Sequence, residues 1–297
     1  MRNLLVTVFL LLAAAPLMAQ DKTLKVGVYH NPPKIMFDEY GKLSGIHGEL
    51  LMVVAERHNW QLLPVECDWE QCLTFLQQGK IDILPDVAKN DARAQWAEFH
   101  EEAALLSWSQ LYAAKNEKIT SLLDLNNKRV AVLKGSVQES YLQQLIESFE
   151  LKSQLYPVES FSEGFDAVLT GKANAVATNQ FFGNQQVVDR SVQMTPIMFL
   201  PSELFFAVSQ QSSSDILTTI DNELKRLKAD ENSVYYQIIE RWSSQQKAVS
   251  VPFYVWWIIA ALVLLAVGVL FFNQLLRRKV SDRTKALAQS KYRLNTI

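Results

Sequence analysis

The sequence predicts a two-lobed α/β body followed by a single transmembrane helix. Three observations carry this expectation: a repeated helix-to-strand segment, a regular alternation of strand and helix patterns, and one long uncharged run. The chain has 297 residues, 49% of them hydrophobic, with a formal net charge of −2. That composition excludes a disordered chain. It also argues against nucleic-acid binding, because there is no basic excess to neutralise phosphates.

The repeat sets the two lobes. Residues 68–84, DWEQCLTFLQQGKIDIL, align without a gap on residues 160–176, SFSEGFDAVLTGKANAV. Each segment begins with a capping residue and an aromatic (Asp68-Trp69, Ser160-Phe161), then runs as an amphipathic helix to a Gly-Lys pair and an apolar strand. Glycine is expected there, since a helix commonly ends on a left-handed residue. A weaker echo relates VGVYHNPPK from Val26 to VAVLKGSVQ from Val130. Strands are predicted at 24–29, 61–65, 81–84, 129–133, 154–158 and 173–177. Helices are predicted at 47–58, 69–78, 137–149, 162–170, 215–228 and 234–243. The alternation implies a mostly parallel sheet in each lobe. Leu105–Ala114 and Leu204–Ser209 are read as the two crossings. Lobe 1 is then about 24–110 plus 207–245, and lobe 2 about 113–202.

The two ends of the chain are apolar. Residues 1–19 place Arg2 before a run from Leu4 to Ala15, with Ala19 ahead of a polar start. This predicts a signal peptide cleaved after Ala19, with an uncleaved anchor as the alternative. Phe253–Phe272 holds no charge. As a helix it matches a hydrocarbon core about 30 Å thick, so residues 252–272 are expected to span the membrane. Tyr254, Trp256 and Trp257 flank one side, and Arg277, Arg278 and Lys279 the other. The positive side is cytoplasmic, which puts residues 20–248 in the periplasm and 273–297 in the cytoplasm. Val280, Leu287 and Leu294 recur at intervals of seven. This partial heptad fits either a two-stranded signalling helix, hence a homodimer, or a plain juxtamembrane helix. No kinase or cyclase domain fits in the last segment, so an output domain is expected to follow or to be supplied by a partner. Cys67 and Cys72, on the oxidising side, are read as a disulfide or as two half-buried thiols.

Six segments in order resemble the type II periplasmic solute-binding fold (the Venus flytrap), specifically the family of polar amino-acid-binding proteins. They are LKVGVYHNPPKIMF (24–37), GKLSGIHGELL (41–51), DWEQCLTFLQQGKIDIL (68–84), DARAQWAEF (91–99), SLLDLNNKRVAVLKGS (121–136) and GKANAVATN (171–179). Joined to one transmembrane helix, the arrangement looks like the sensor half of a bacterial receptor kinase or diguanylate cyclase in the inner membrane. The resemblance implies a small-molecule ligand, an amino acid or other small carboxylate, held between the lobes. It implies no catalysis by this chain.

In such sheets ligands sit beyond the carboxyl ends of strands. Arg93 follows the strand ending near Leu84, and its guanidinium suits a carboxylate. The resemblance assigns it the ligand's α-carboxylate; pairing with Asp86 or Glu98 on the surface is the alternative. Asp86 and Val87 are further candidate contacts. Gly135 and Ser136 open a helix whose amino end offers N–H groups to an anion, while Ser136 and Glu139 also form a capping box. Asn174 and Asn179 stand where the family pattern commonly has aspartates. An uncharged amide at Asn179 is a weak ammonium partner; Glu49 is the candidate replacement, or else a residue of a solvated helix face. Tyr29, His30, Phe37 and Trp108 are candidate walls, or else plain core or rim residues, and His47 reads as a surface residue at a helix start. No metal or phosphate-loop motif is present, and no cofactor is expected. The rival readings are a tethered component of an ABC transporter and an enzyme on the same fold, with Glu49 as its general acid or base.

Overall fold

The computed structural model describes residues 22–189, 191–210, 214–244, 255–269 and 272–273. The predicted signal peptide, the 247–252 connection and the helix after residue 273 lie outside the described residues. The chain divides into two compact units, residues 1–246 and 247–297.

A nine-stranded sheet with strand order β4-β1-β5-β11-β7-β10-β8-β9 runs through the first unit. In lobe 1, β1 (Lys22–Val28) lies parallel to β4 (Trp60–Glu66) and to β5 (Ile83–Ala88). In lobe 2, β8 (Arg129–Leu133) lies parallel to β9 (Gln154–Val158) and β10 (Ala175–Asn179). Two antiparallel strands, β7 (Leu105–Ala114) and β11 (Val192–Ser209), join the halves: β11 pairs with β5 and β7 with β10. The short β6 (Ala97–Phe99) pairs with the end of β11, and β2 (Met36–Phe37) with β3 (Leu43–Ser44).

Two strands differ from expectation for the same reason. β11 begins at Val192 rather than Leu204, and β5 runs to Ala88 rather than Leu84. Pro196, Pro201 and Pro85 mask the strand signal, because proline cannot donate to a ladder. The register of β11 shifts between Met194 and Met198, between Phe199 and Ser202, and again opposite Pro85-Asp86. These bulges accommodate the prolines.

Helices cover the sheet faces: α1 (Ile46–His58), α2 (Trp69–Gln77), the single turn α3 (Asp91–Ala94), α4 (Val137–Ser148), α5 (Phe161–Leu169), α6 (Gln180–Asp189), α7 (Ser214–Lys228) and α8 (Val234–Ser244). The repeat is visible in how α2 and α5 end. Gly79 and Gly171 both have positive φ, 66° and 72°. The next residues, Lys80 and Lys172, donate their N–H groups back to Phe75 and Ala167, both at 2.8 Å. Side chains of Ile81, Ile83 and Leu84 are fully buried in the lobe-1 core, each contributing about 1.5–3 kcal/mol by leaving water. Cys67 and Cys72 form a disulfide across the start of α2.

In the second unit, residues 255–269 form a helix. Among the described residues no helix is long and apolar enough to cross a membrane. The described turns extend about 22 Å, short of the roughly 30 Å of a hydrocarbon core.

Candidate functional site

The carboxyl ends of β1 and β5 in lobe 1 face those of β8 and β10 in lobe 2 across a half-open crevice of about 40 Å³. Lobe 1 brings Tyr29, Asn31, Lys34, Trp69, Asp86 and Arg93; lobe 2 brings Leu133, Ser136, Val137, Gln138, Phe161 and Asn179.

Asp86 is the hub of the lobe-1 wall. It sits in the β5 bulge with φ 64°, a left-handed conformation that aspartate tolerates better than most residues. Oδ2 accepts from the Tyr29 hydroxyl at 2.5 Å and from Asn31 Nδ2 at 2.7 Å; Oδ1 accepts from Lys34 Nζ at 2.7 Å. All four side chains are buried. Burial, and next the Asp86 charge, push the Tyr29 phenol well above its ordinary value, so Tyr29 acts as a donor here. Burial lowers the Lys34 ammonium, against the pull of Asp86. Behind this cluster lies His47, with Nδ1 4.0 Å from Asp86 Oδ1 and its ring edge-on to Phe206. Among the described residues neither ring nitrogen has a hydrogen-bond partner of good geometry, although the Lys34 backbone is near enough to interact weakly with the ring. Burial brings His47 down to about 4, so it is neutral at neutral pH.

Arg93 lies on α3, whose cap is the Asn90 side chain accepting the Arg93 N–H at 2.8 Å. Nη1 donates to the Ala88 carbonyl at 2.8 Å, and Nη2 reaches across the crevice to the Gly135 carbonyl at 3.2 Å. The guanidinium carbon stands 5.2 Å from the centre of the Trp69 ring, which itself packs at 4.8 Å on Tyr29. Burial lowers Arg93 to about 10, which leaves it cationic at physiological pH.

On the lobe-2 side Ser136 caps α4, accepting from the Glu139 N–H at 3.2 Å, while Glu139 accepts the Gly135 N–H at 2.7 Å. Gly135 has φ 68°, and its carbonyl also accepts from Trp69 Nε1. The amides of Gly135 and Ser136 are therefore engaged internally. The first-turn N–H groups of Val137 and Gln138, which no preceding helical turn can satisfy, belong to residues that line the crevice. Asn179 donates to Asn31 Oδ1 at 3.1 Å and accepts from the Phe182 N–H at 3.0 Å. With an ion pair between Glu70 and Lys134 at 2.8 Å, the lobes are bonded directly to each other at several points around the crevice.

Residues 24–245 match the model of the bacterial extracellular solute-binding proteins, family 3. The chain belongs to that family. The amino-acid-binding protein AabA of Dichelobacter nodosus is 26% identical over 220 residues, 68% of this chain and 83% of its own. Two further curated relatives are matched over only 46% and 44% of their own lengths. Among solved structures, an ancestral arginine-binding protein bound to glutamine aligns with a TM-score of 0.66 at 26% identity, covering 74% of this chain and 97% of that one. A histidine kinase sensor domain with similarity to periplasmic binding proteins has the same TM-score at 17% identity, covering 75% and 96%.

In this family-3 chain the structure brings Arg93, Asp86, Ser136, Asn179 and Tyr29 to one crevice, with Gly135 at its edge. Four candidates lie elsewhere. Glu49 is on the far side of α1, accepting from Arg241 Nη2 at 2.6 Å and Trp242 Nε1 at 3.1 Å. Val87 is fully buried in the lobe-1 core, because the Asp86 bulge turns its neighbour away from the crevice. Phe37 sits in the β2–β3 hairpin and packs on the main core. Trp108 is 41% exposed on β7. His30 is exposed, and His47, expected at the surface, is fully buried. Asn174 holds the β8–β10 corner through the Arg129 N–H and Glu117. Sequence reasoning missed Asn31, Lys34, Trp69, Gln138 and Phe161. Trp69 and Phe161 had a signal, being the equivalent aromatics of the repeat.

Proposed function

We propose that this chain is the ligand-sensing part of a single-pass receptor in a bacterial inner membrane, binding a small carboxylate or amino acid between its lobes. The observation that carries the reading is the contact of Arg93 with Gly135 across a crevice also lined by Ser136. A carboxylate bound there would be held by a lobe-1 guanidinium and a lobe-2 helix start together, which only the closed arrangement allows. Moving a closure equilibrium from 1:99 to 99:1 needs about 5.5 kcal/mol of differential affinity. Two or three charge-assisted hydrogen bonds are of that order.

Membrane anchoring and dimeric signalling rest on the uncharged run 253–272, the basic residues after it and the heptad positions 280, 287 and 294. A second reading, a tethered transporter component, is favoured by the relative named an amino-acid-binding protein. Deleting residues 280–297 separates the two. Loss of a ligand-dependent response with solute uptake intact supports the receptor, and the reverse supports the transporter. Calorimetry of the purified chain against amino acids and organic acids tests the site itself. An enzymatic reading has lost its candidate acid or base, since Glu49 is held by Arg241 and Trp242 away from the crevice.

A further inference from the structure

We infer that the crevice selects a small monocarboxylate that carries no ammonium group. The inference rests on the reading that the Arg93 crevice holds a solute, and it names the class of that solute.

The charge balance of the crevice is the starting point. Asp86 is the one acid among the described residues lining it. Its two oxygens already take Lys34 Nζ, the Tyr29 hydroxyl and Asn31 Nδ2, at 2.5–2.7 Å. An incoming ammonium would have to share Asp86 with a lysine of the chain's own, buried to 4% exposure and already at ion-pair distance. Asn179, the residue on the opposite wall, is a weak substitute. Its oxygen already accepts the Phe182 N–H and its nitrogen donates to Asn31, and an amide carries no charge to neutralise an ammonium.

Arg93 and Lys34 together bring two positive charges against one negative at Asp86. A monoanion therefore neutralises the site, whereas a zwitterion leaves the excess positive charge in place and adds a buried ammonium without a carboxylate. Burying a charge without a partner is heavily disfavoured. Lys34 uses one of its three N–H donors on Asp86, so it has donors left for an anion beside those of the α4 start. The crevice volume of about 40 Å³ is roughly three water-sized groups. That suits a two- or three-carbon acid.

The test compares acids with amino acids of the same skeleton. Calorimetric titration of the full-length protein in detergent would use glycolate against glycine and L-lactate against L-alanine. The expected result is that at least one acid binds, about tenfold or more tighter than its amino counterpart, and that Arg93→Ala abolishes this binding. Amino acids binding as tightly as the acids, with that binding lost in Arg93→Ala, would overturn the inference and leave the site standing. No binding of any of the four would overturn the inference, and the reading of the site would then be decided by the wider set of amino acids and organic acids. Lys34→Met, with Lys34→Gln as a second variant should the first not fold, gives Asp86 back to the ligand. The acid-to-amine preference should then shrink by about tenfold; an unchanged preference in a folded variant would refute the charge argument.

Discussion

Arg93 is placed by four local devices: the Asn90 cap, the Ala88 and Gly135 carbonyls, and the Trp69 ring. The cap holds the backbone, while the two carbonyls and the ring demand a planar fork rather than a bare charge. Arg93→Lys should therefore lower ligand affinity by about ten- to a hundredfold although it keeps the charge; calorimetry on the folded variant checks this. Histidines give a second expectation at this scale. His47 faces Asp86, Lys34 and Phe206, and His100 accepts the Phe206 N–H with Asp221 3.8 Å away. Burial lowers both from 6.5 to about 4. Above pH 6.5 both are neutral whether the chain is folded or not, so they add no pH dependence. Between 6.5 and 4 the unfolded chain binds protons that the folded chain excludes, and stability falls on acidification by up to about 1.4 kcal/mol per pH unit for each. His47→Leu should halve that slope in urea unfolding at pH 7.5 and 5, while costing under about 1 kcal/mol at pH 7.5, since two unbonded nitrogens are removed. An unaltered slope would show that His47 is not held neutral. Sequence made Arg93, Ser136 and Asp86 legible because they stand next to strand ends. Lys34 and Asn31 were illegible because their role depends on Asp86, more than fifty residues away. Glu49 misled because a helix face does not declare which neighbour it meets.

Elements were legible wherever periodicity and glycine agreed, as at α2 and α5, and illegible where proline interrupted a strand that tertiary pairing nonetheless imposes. The Cys67–Cys72 disulfide shows why the start of α2 matters. It closes a short loop around Trp69, which contacts Tyr29, Arg93 and the Gly135 carbonyl. Both cysteines are buried, so the bond stiffens the segment rather than offering an exposed thiol switch. Replacing both with serine should cost about 2 kcal/mol by the loop-entropy estimate. It should also weaken ligand binding through a less well positioned Trp69. Thermal unfolding and calorimetry on the same double variant read the two effects. Lower stability with unchanged affinity would limit the disulfide to folding.

At the scale of the whole first unit, the crevice is connected to the chain's exit by a short series of bonded elements. Lys34 belongs to the turn whose carbonyls hold the start of α1: the Ile46 N–H donates to Pro33 and the His47 N–H to Lys34, at 2.9 and 2.8 Å. One helical turn on, Glu49 accepts from Arg241 and Trp242 of α8, the last described helix before residue 247. Partly exposed ion pairs contribute about 0–1 kcal/mol to stability, so Glu49→Gln should leave folding nearly intact. It should leave the dissociation constant within about threefold, because Glu49 does not line the crevice. Transmission is another matter, since the same carboxylate fixes how α8 follows α1. Hydrogen exchange in residues 234–244 is the measurement. In the wild-type chain, ligand should change protection in α8; in Glu49→Gln the change should stay within the segments lining the crevice. If α8 responds equally in both, the coupling runs through another contact, and Glu49 is only a surface tie between two helices.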